Sequence, residues 1–328
     1  MIRSVVAVSL AVLIGVAPTS ALSQVTADAY PSRPIKLVAP FPPGGTVDLL
    51  ARFISKEMRD AWNQPVVVEN RSGAGGMIGA DFVAKSPPDG YTFGFITFAH
   101  FVQPAMMANL PFDPIADFTP ITLLANLPTV ICTPMDSGLT SFAQVIRESR
   151  AGKPFAYGTA GLGSAAHLGG EQINRISGAK LEHIPYRGAG PLTVDLLGGQ
   201  IPLGMLTISA AIPLIQQGKV RPLAVASAKR ANALPDVPTV AETFKGVEFS
   251  ETYAIVGPKG MPRPVVVKIQ RELNRIMALP EARKRYAETL GIELVGSTPE
   301  EMGVVLTDGV NKWSGIAREL GLKQEAPN

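Results

Sequence analysis

The residues best suited to chemistry sit in two glycine- and hydroxyl-rich turns, each placed between a strand and a helix. The first runs Phe41-Pro42-Pro43-Gly44-Gly45-Thr46, with Asp48 two residues further on. The second runs Gly158-Thr159-Ala160-Gly161-Leu162-Gly163-Ser164. A turn that opens a helix presents backbone N–H groups and the positive end of the helix dipole, and both attract an anion. Two such turns would grip an anionic ligand from two sides. Local physics alone admits phosphate or carboxylate. The first turn is neither a Walker loop, since no Gly-Lys-Ser/Thr follows, nor a G-x-G-x-x-G fingerprint. Asp48 in the first helical turn repels a dianion; its carboxylate either satisfies helix N–H groups and holds the turn, or meets the ligand.

Other reactive side chains gather less support. Ser164 and His167 are three apart at a helix start, but Ala165-Ala166 follows the serine, so the nucleophile elbow G-x-S-x-G is absent. Ser164 reads as a cap or as a hydrogen-bond donor to the ligand, and His167 as structural. The three histidines, His100, His167 and His183, lie in unrelated segments without metal-ligand spacing. No catalytic group, metal or cofactor is expected. The single cysteine, Cys132, lies in an apolar run that reads as a buried strand. Arg187, just after a strand, either pairs with an anionic ligand or ties its own loop to nearby carbonyls. Gly73 to Gly76 open a further helix and suit a tight packing turn as well as a ligand contact.

The elements that must position these turns alternate short apolar strands with helical stretches, which predicts an α/β fold with largely parallel sheets. Strands are expected over 35–39, 65–69, 91–97, 119–124, 129–133, 154–157, 181–185, 201–206, 220–226, 253–256 and 292–295. Helices are expected over 47–58, 77–85, 141–151, 165–176, 191–197, 264–279 and 280–290, with a last one to about 320. Thr298-Pro299-Glu300-Glu301 has the pattern of a capping box with proline at the first helical position. The two glycine turns fall in different halves. The simplest topology is discontinuous, with residues 30–128 plus 255–328 in one lobe and 129–254 in the other. Strand crossings near Val130 and Ile255 would form the hinge. A ligand cleft between lobes lies beyond the carboxyl ends of strands, where hinge closure would trap a ligand.

Composition bounds the function class. The chain is 46% apolar and 17% charged with a net charge of +3 and no basic run interleaved with aromatics, so nucleic-acid binding is not indicated. Arg3, the apolar stretch 5–16 and Ala21-Leu22-Ser23 have the layout of a cleaved secretory signal over 1–23, too short for a membrane anchor. An exported, soluble protein without stable membrane insertion is expected.

The ordered set Tyr30-Pro31, Arg33-Pro34-Ile35, Pro43-Gly44-Gly45-Thr46-x-Asp48, Glu69-Asn70-Arg71-x-Gly73-Ala74-Gly75-Gly76, Pro88-Asp89-Gly90-Tyr91, Tyr157-Gly158-Thr159-Ala160-Gly161-x-Gly163, Pro185-Tyr186-Arg187-Gly188 and Leu234-Pro235-Asp236-Val237-Pro238-Thr239 resembles the Bug family. These are extracytoplasmic solute-binding proteins of tripartite tricarboxylate transporters, and the resemblance covers essentially the whole mature chain. It implies a periplasmic binding protein-like fold, two α/β lobes joined by a two-strand hinge with the ligand cleft between them. It also implies a periplasmic, monomeric protein that delivers a small carboxylate to a permease of one large and one small membrane subunit. Carried over, the ligand contacts fall on Gly44, Gly45, Thr46, Asp48, Thr159, Ala160, Gly161 and Ser164. Phe41, Thr97 and Arg187 complete that expected lining. Departures from the family lie at Thr97-Phe98-Ala99-His100-Phe101, at Leu206-Thr207 and at Thr252, where relatives often carry tryptophan before Tyr253. Phe98, His100, Leu206, Thr207 and Tyr253 are therefore expected to set specificity, for a mono- or dicarboxylate with an apolar or aromatic body. A ligand sensor for a signalling partner and an exported α/β enzyme acting on small acids are the competing readings.

Overall fold

The computed structural model describes residues 30–322. The expected signal segment, 1–23, lies outside the described residues. Strand β1 (Ile35–Ala39) runs into the first glycine turn and then α1 (Thr46–Trp62). Helix α1 forms because Val47, Leu50, Ala51, Ile54 and Met58 recur at helical spacing and bury one face. It stops at Asn63, which takes the left-handed conformation at φ 50°. Next come β2 (Val66–Asn70), a 3₁₀ turn at Ala74–Gly76, α2 (Met77–Ala84), β3 (Thr92–Thr97) and α3 (Phe98–Met106).

The long strand β4 (Phe118–Pro134) then carries the chain into a second half. That half holds α4 (Phe142–Arg150), β5 (Phe155–Thr159), α5 (Ala165–Ser177), β6 (Leu181–Pro185) and α6 (Ala189–Leu197). It continues with β7 (Leu203–Thr207), α7 (Ile208–Gln216), β8 (Val220–Val225) and α8 (Val240–Thr243). Strand β9 (Ser250–Pro258) returns to the first half. There α9 (Arg263–Met277) leads to α10 (Pro280–Ala282), which continues as a π-helical turn over Arg283–Glu288. Strand β10 (Glu293–Leu294) and α11 (Pro299–Glu319) end the fold, and Thr298 and Glu301 close the expected capping box.

The sheet has ten strands in the order β2-β1-β3-β9-β4-β7-β5-β6, with β8 and β10 both paired to β4. It is mixed rather than largely parallel. Strand β1 pairs in parallel with β2 and β3, and β5 with β6 and β7. Every pairing made by β4 or β9 is antiparallel. The reason is topological: these two strands carry the chain between the halves and lie side by side in opposite directions.

Two further differences from the sequence reading have physical causes. Residues 119–124 and 129–133 are parts of one 17-residue strand, β4, although Pro120 and Pro128 lie inside it. Pro128 marks the point where β4 exchanges partners, from β9 up to Ser250 to β7 and β8 from the next two residues on. A missing N–H interrupts no continuing ladder there. Residues 98–106 are helical, because Phe98, Phe101, Val102 and Met106 repeat at helical spacing and are buried. That face packs on α11, where the Phe98 ring meets Trp313 edge-on at 4.9 Å and Ser314 Oγ donates to the Phe101 carbonyl at 2.8 Å.

Helix α5 lies close against Phe249, just before the return strand, through Gly169, and against Tyr157 of β5 through Gly170. A Cβ added at Gly169 would sit 2.3 Å from the Phe249 ring. Substituting Gly169→Ala is expected to cost about 1–3 kcal/mol of overpacking, read as a lowered Tm in thermal unfolding. An unchanged Tm would mean that Phe249 has room to move away.

Candidate functional site

In the first turn Gly44 adopts φ +92° and, like Gly45, is exposed. No side chain caps α1. The Asp48 carboxylate is buried and fully engaged within the protein. Its Oδ2 accepts from the Gly44 N–H at 3.0 Å and from Arg52 Nε at 2.9 Å, and its Oδ1 accepts from Asn70 Nδ2 at 2.9 Å. Asn70 also donates to the Phe41 carbonyl at 3.0 Å. The Arg52 hydrogen bond does most to lower the Asp48 pKa, to about 2; burial opposes it, and the Gly44 and Asn70 bonds add to it. Asp48 therefore shapes the turn, and its carboxylate is not directed at a ligand. With the Gly44 N–H turned inward to Asp48, what the turn offers outward is the backbone N–H of Gly45 and Thr46, with Phe41 half-buried at its start.

The second turn is braced from behind by two histidines. Thr159 is completely buried, and its hydroxyl bonds His183 Nε2 at 2.7 Å, so its side chain is structural. Ser164 caps α5: its Oγ accepts the His167 N–H at 3.2 Å and donates to the Gly161 carbonyl at 2.8 Å. His167 Nδ1 accepts the Gly163 N–H at 3.1 Å, which requires a ring without a proton on that nitrogen. Ser164 and His167 thus act as a cap and a brace, not as a nucleophile and its base. The His167 and His183 rings stack with centroids 3.8 Å apart. Burial lowers the His167 pKa to about 4 and, with the neighbouring His167 adding to it, that of His183 to about 3. Ala160 and Leu162 are exposed at the tip, and Gly161 is half-buried. The segment after β6 is laddered onto this turn, with Tyr186 N–H to the Thr159 carbonyl at 2.9 Å and Gly188 N–H to the Ala160 carbonyl at 3.1 Å. Arg187 between them is exposed beside the turn.

Strand β9 joins the two turns. Burial raises the pKa of the Tyr253 phenol, Glu251 adds to this, and the nearby Thr46 hydroxyl at the start of α1 partly offsets it. Glu251 Oε1 accepts the N–H of Ala165, the first residue of α5, at 3.1 Å. Residues two apart on a strand share a face, so Glu251 and Tyr253 anchor both helix starts over one face of β9. Thr97 pairs with Tyr253 across the ladder and lies on the same face. Thr207 begins α7, half-buried, with its hydroxyl 3.3 Å from Ser209 Oγ. Glu251 was not among the sequence candidates. The signal available was a carboxylate two residues before Tyr253 at the polar start of a strand whose later residues are apolar.

Two expected specificity residues are packed away from these turns. Phe98 is buried against Phe101 and Trp313. His100 is buried between Phe112 and Phe118, and its Nε2 bonds the Pro114 carbonyl at 2.8 Å. Both belong to α3, whose apolar face is turned toward the core. Leu206 is likewise buried, in the core of the second half. Cys132 is buried, and burial pushes its thiol up to about 12, so it is inert as a nucleophile. Among the described residues no group of three or more His, Cys, Asp or Glu could hold a metal ion, and no helix is long and apolar enough to cross a membrane.

A large cavity lies elsewhere. A cleft of about 810 Å³ separates residues 227–233 of the second half from 283–296 of the first, with Pro128 at its base. An adjoining space of about 320 Å³ is lined by Asn126, Ser250 and Thr252. Ser250 and Thr252 alternate with Glu251 and Tyr253, so this cleft opens on the opposite face of β9. It contains neither glycine turn and neither helix start, and the candidate site is therefore placed at the turns.

An α/β fold of two halves joined by a pair of crossing strands is the architecture seen in periplasmic binding proteins. The model of the tripartite tricarboxylate transporter family receptor matches residues 50–322, and the chain belongs to this family. Protein BugT of Bordetella pertussis is 35% identical over 313 residues, 94% of this chain and 95% of BugT. The structure of periplasmic binding protein BugD is similar at 34% identity and a TM-score of 0.76, covering 90% of this chain and 100% of that one. The R. palustris protein Rpa4515, solved with adipate, is similar at 31% identity and a TM-score of 0.78, with 90% of this chain and 100% of that one covered.

The buried network makes two predictions. Removing the Asp48 carboxylate leaves Gly44 N–H, Asn70 and Arg52 without their partner, so Asp48→Ala is expected to destabilise by about 1–3 kcal/mol, read from denaturant unfolding. The histidines set the second. His100, His167 and His183 are all held below the ordinary 6.5, with His100 lowered to about 4 by burial. Between pH 6.5 and about 4 the unfolded chain takes up protons that the folded chain refuses. Stability is then present above 6.5 and is lost on acidification, by about 1.4 kcal/mol per pH unit for each histidine. Glu251, raised by burial, opposes this weakly in the lower part of the window. A Tm that falls from pH 7 to pH 5 is expected; a Tm that rises would contradict neutral, buried rings.

Proposed function

We propose that this chain is a periplasmic solute-binding protein that captures a small carboxylate between the two glycine turns and delivers it to a tripartite tricarboxylate-type transporter. The observation that carries this reading is the convergence of two helix N-termini on one face of β9, through Thr46 with Tyr253 and Ala165 with Glu251. Partial positive charge from both helices is focused where an anion is needed. The bound adipate of Rpa4515 supports a carboxylate as the ligand class.

In this reading residues 30–128 with 255–328 form one lobe and residues 129–254 the other, and β4 and β9 are the hinge. The contacts are the backbones of Gly44, Gly45, Ala160 and Gly161, with Thr46, Thr97, Thr207, Tyr253 and Arg187 around them. An apolar ligand body is supported by Phe41 on one turn and exposed Leu162 on the other, in place of Phe98 and His100. The large and small permease subunits are the receiving partners.

A thermal-shift screen over small mono- and dicarboxylates tests the reading. A ligand at about 100 times its Kd adds roughly 2.7 kcal/mol of stability, and its Tm gain should fall sharply in Gly45→Pro, which removes one turn N–H at a position whose φ of −79° admits proline. A panel in which no acid raises the Tm, while phosphate does, would overturn the carboxylate assignment.

A further inference from the structure

The α5 jaw already holds an acid of the protein's own. Glu251 Oε1 accepts the Ala165 N–H, which is one of the first N–H groups of α5 and belongs to the same helix start that the second glycine turn opens. Burial raises the Glu251 pKa, the Ala165 hydrogen bond partly offsets this, and no cation contributes. Its neighbour on the same face of β9, Tyr253, is uncharged and engaged with Thr46. Asp48, the acid of the other jaw, is by contrast paired with Arg52 and turned inward. The two helix starts are thus unequal: the α1 start has its charge neutralised, whereas the α5 start faces an unpaired carboxylate.

Two carboxylates that share one small, partly desolvated site cannot both ionise without a large energetic cost. We propose that Glu251 is a specificity-determining residue: its carboxylate fills the anion position at the start of α5, so the site takes acids with one carboxylate, held at the α1 jaw, and rejects dicarboxylates. The inference rests on the carboxylate-binding reading and narrows it. It separates this chain from Rpa4515, which was solved with the dicarboxylate adipate. The remaining oxygen, Glu251 Oε2, has no hydrogen-bond partner in the protein among the described residues.

The test is isothermal titration of the mature protein with three pairs matched in carbon skeleton: butanoate with succinate, hexanoate with adipate, and benzoate with terephthalate. In the best-bound pair the monoacid is expected to bind at least tenfold more tightly than its diacid. Glu251→Gln keeps the size of the side chain and a carbonyl to accept the Ala165 N–H, and circular dichroism checks its fold. It should shift the diacid-to-monoacid affinity ratio upward by at least tenfold. Equal binding of both members by the wild type would overturn the proposal, and this comparison decides the matter even if the variant does not fold. An unchanged ratio in Glu251→Gln would also overturn it, since Glu251 would then be protonated already or remote from the ligand. An equal gain for both acids would overturn it too, because Glu251 would then be only a general competitor for the jaw. If neither protein binds any acid of the three pairs while inorganic phosphate binds, the carboxylate reading itself fails, and the proposal with it.

Discussion

Everything in the proposed site depends on the antiparallel pairing of β4 with β9. These strands lie side by side from Phe118 with Pro258 to Pro128 with Ser250, and they carry the backbone between the two halves. Alternation along β9 gives this ribbon two working faces. Glu251 and Tyr253 fix the helix starts on one face, while Ser250 and Thr252 border a cleft on the other. Under the proposed two-lobe reading, a change of angle between β4 and β9 would close one of these faces as it opens the other.

The two turns have their polar side chains satisfied from within the protein. Asp48 holds the first turn through three hydrogen bonds, and a buried, neutral histidine pair holds the second. Both arrangements remove charge from the turns without removing the outward backbone N–H groups. The field that remains at the cleft is that of two helix dipoles, modified by one acid, Glu251. A binding protein needs preorganised, weakly charged donors of this kind, since its ligand must also leave.

Much of this was legible in the residues. Strand-glycine turn-helix units at 35–58 and 154–176, the Thr298 capping box and the buried Cys132 all follow from local rules, and the structure has them. Local rules misled where long-range pairing intervened. The stretch 119–124 and the stretch 129–133 read as separate strands, yet β4 runs through Pro128 because its partners change there. Phe98 and His100 read as cleft residues, because nothing local shows that α3 turns its apolar face to Trp313.

The sequence by itself determined where the two glycine turns are, because the conformations of glycine, proline and hydroxyl residues are short-range properties. It also determined the family, through an ordered set of such turns spread over the chain. Only the tertiary structure decided what each side chain does at the site. Asp48 could face a ligand or its own turn, and Arg52, Asn70 and Gly44 settle that by meeting it in space. Glu251, some 86 positions from Ala165, acquires its role solely because β9 returns beneath the start of α5. A charge is given its meaning by what surrounds it, and those surroundings come from segments far apart in the chain.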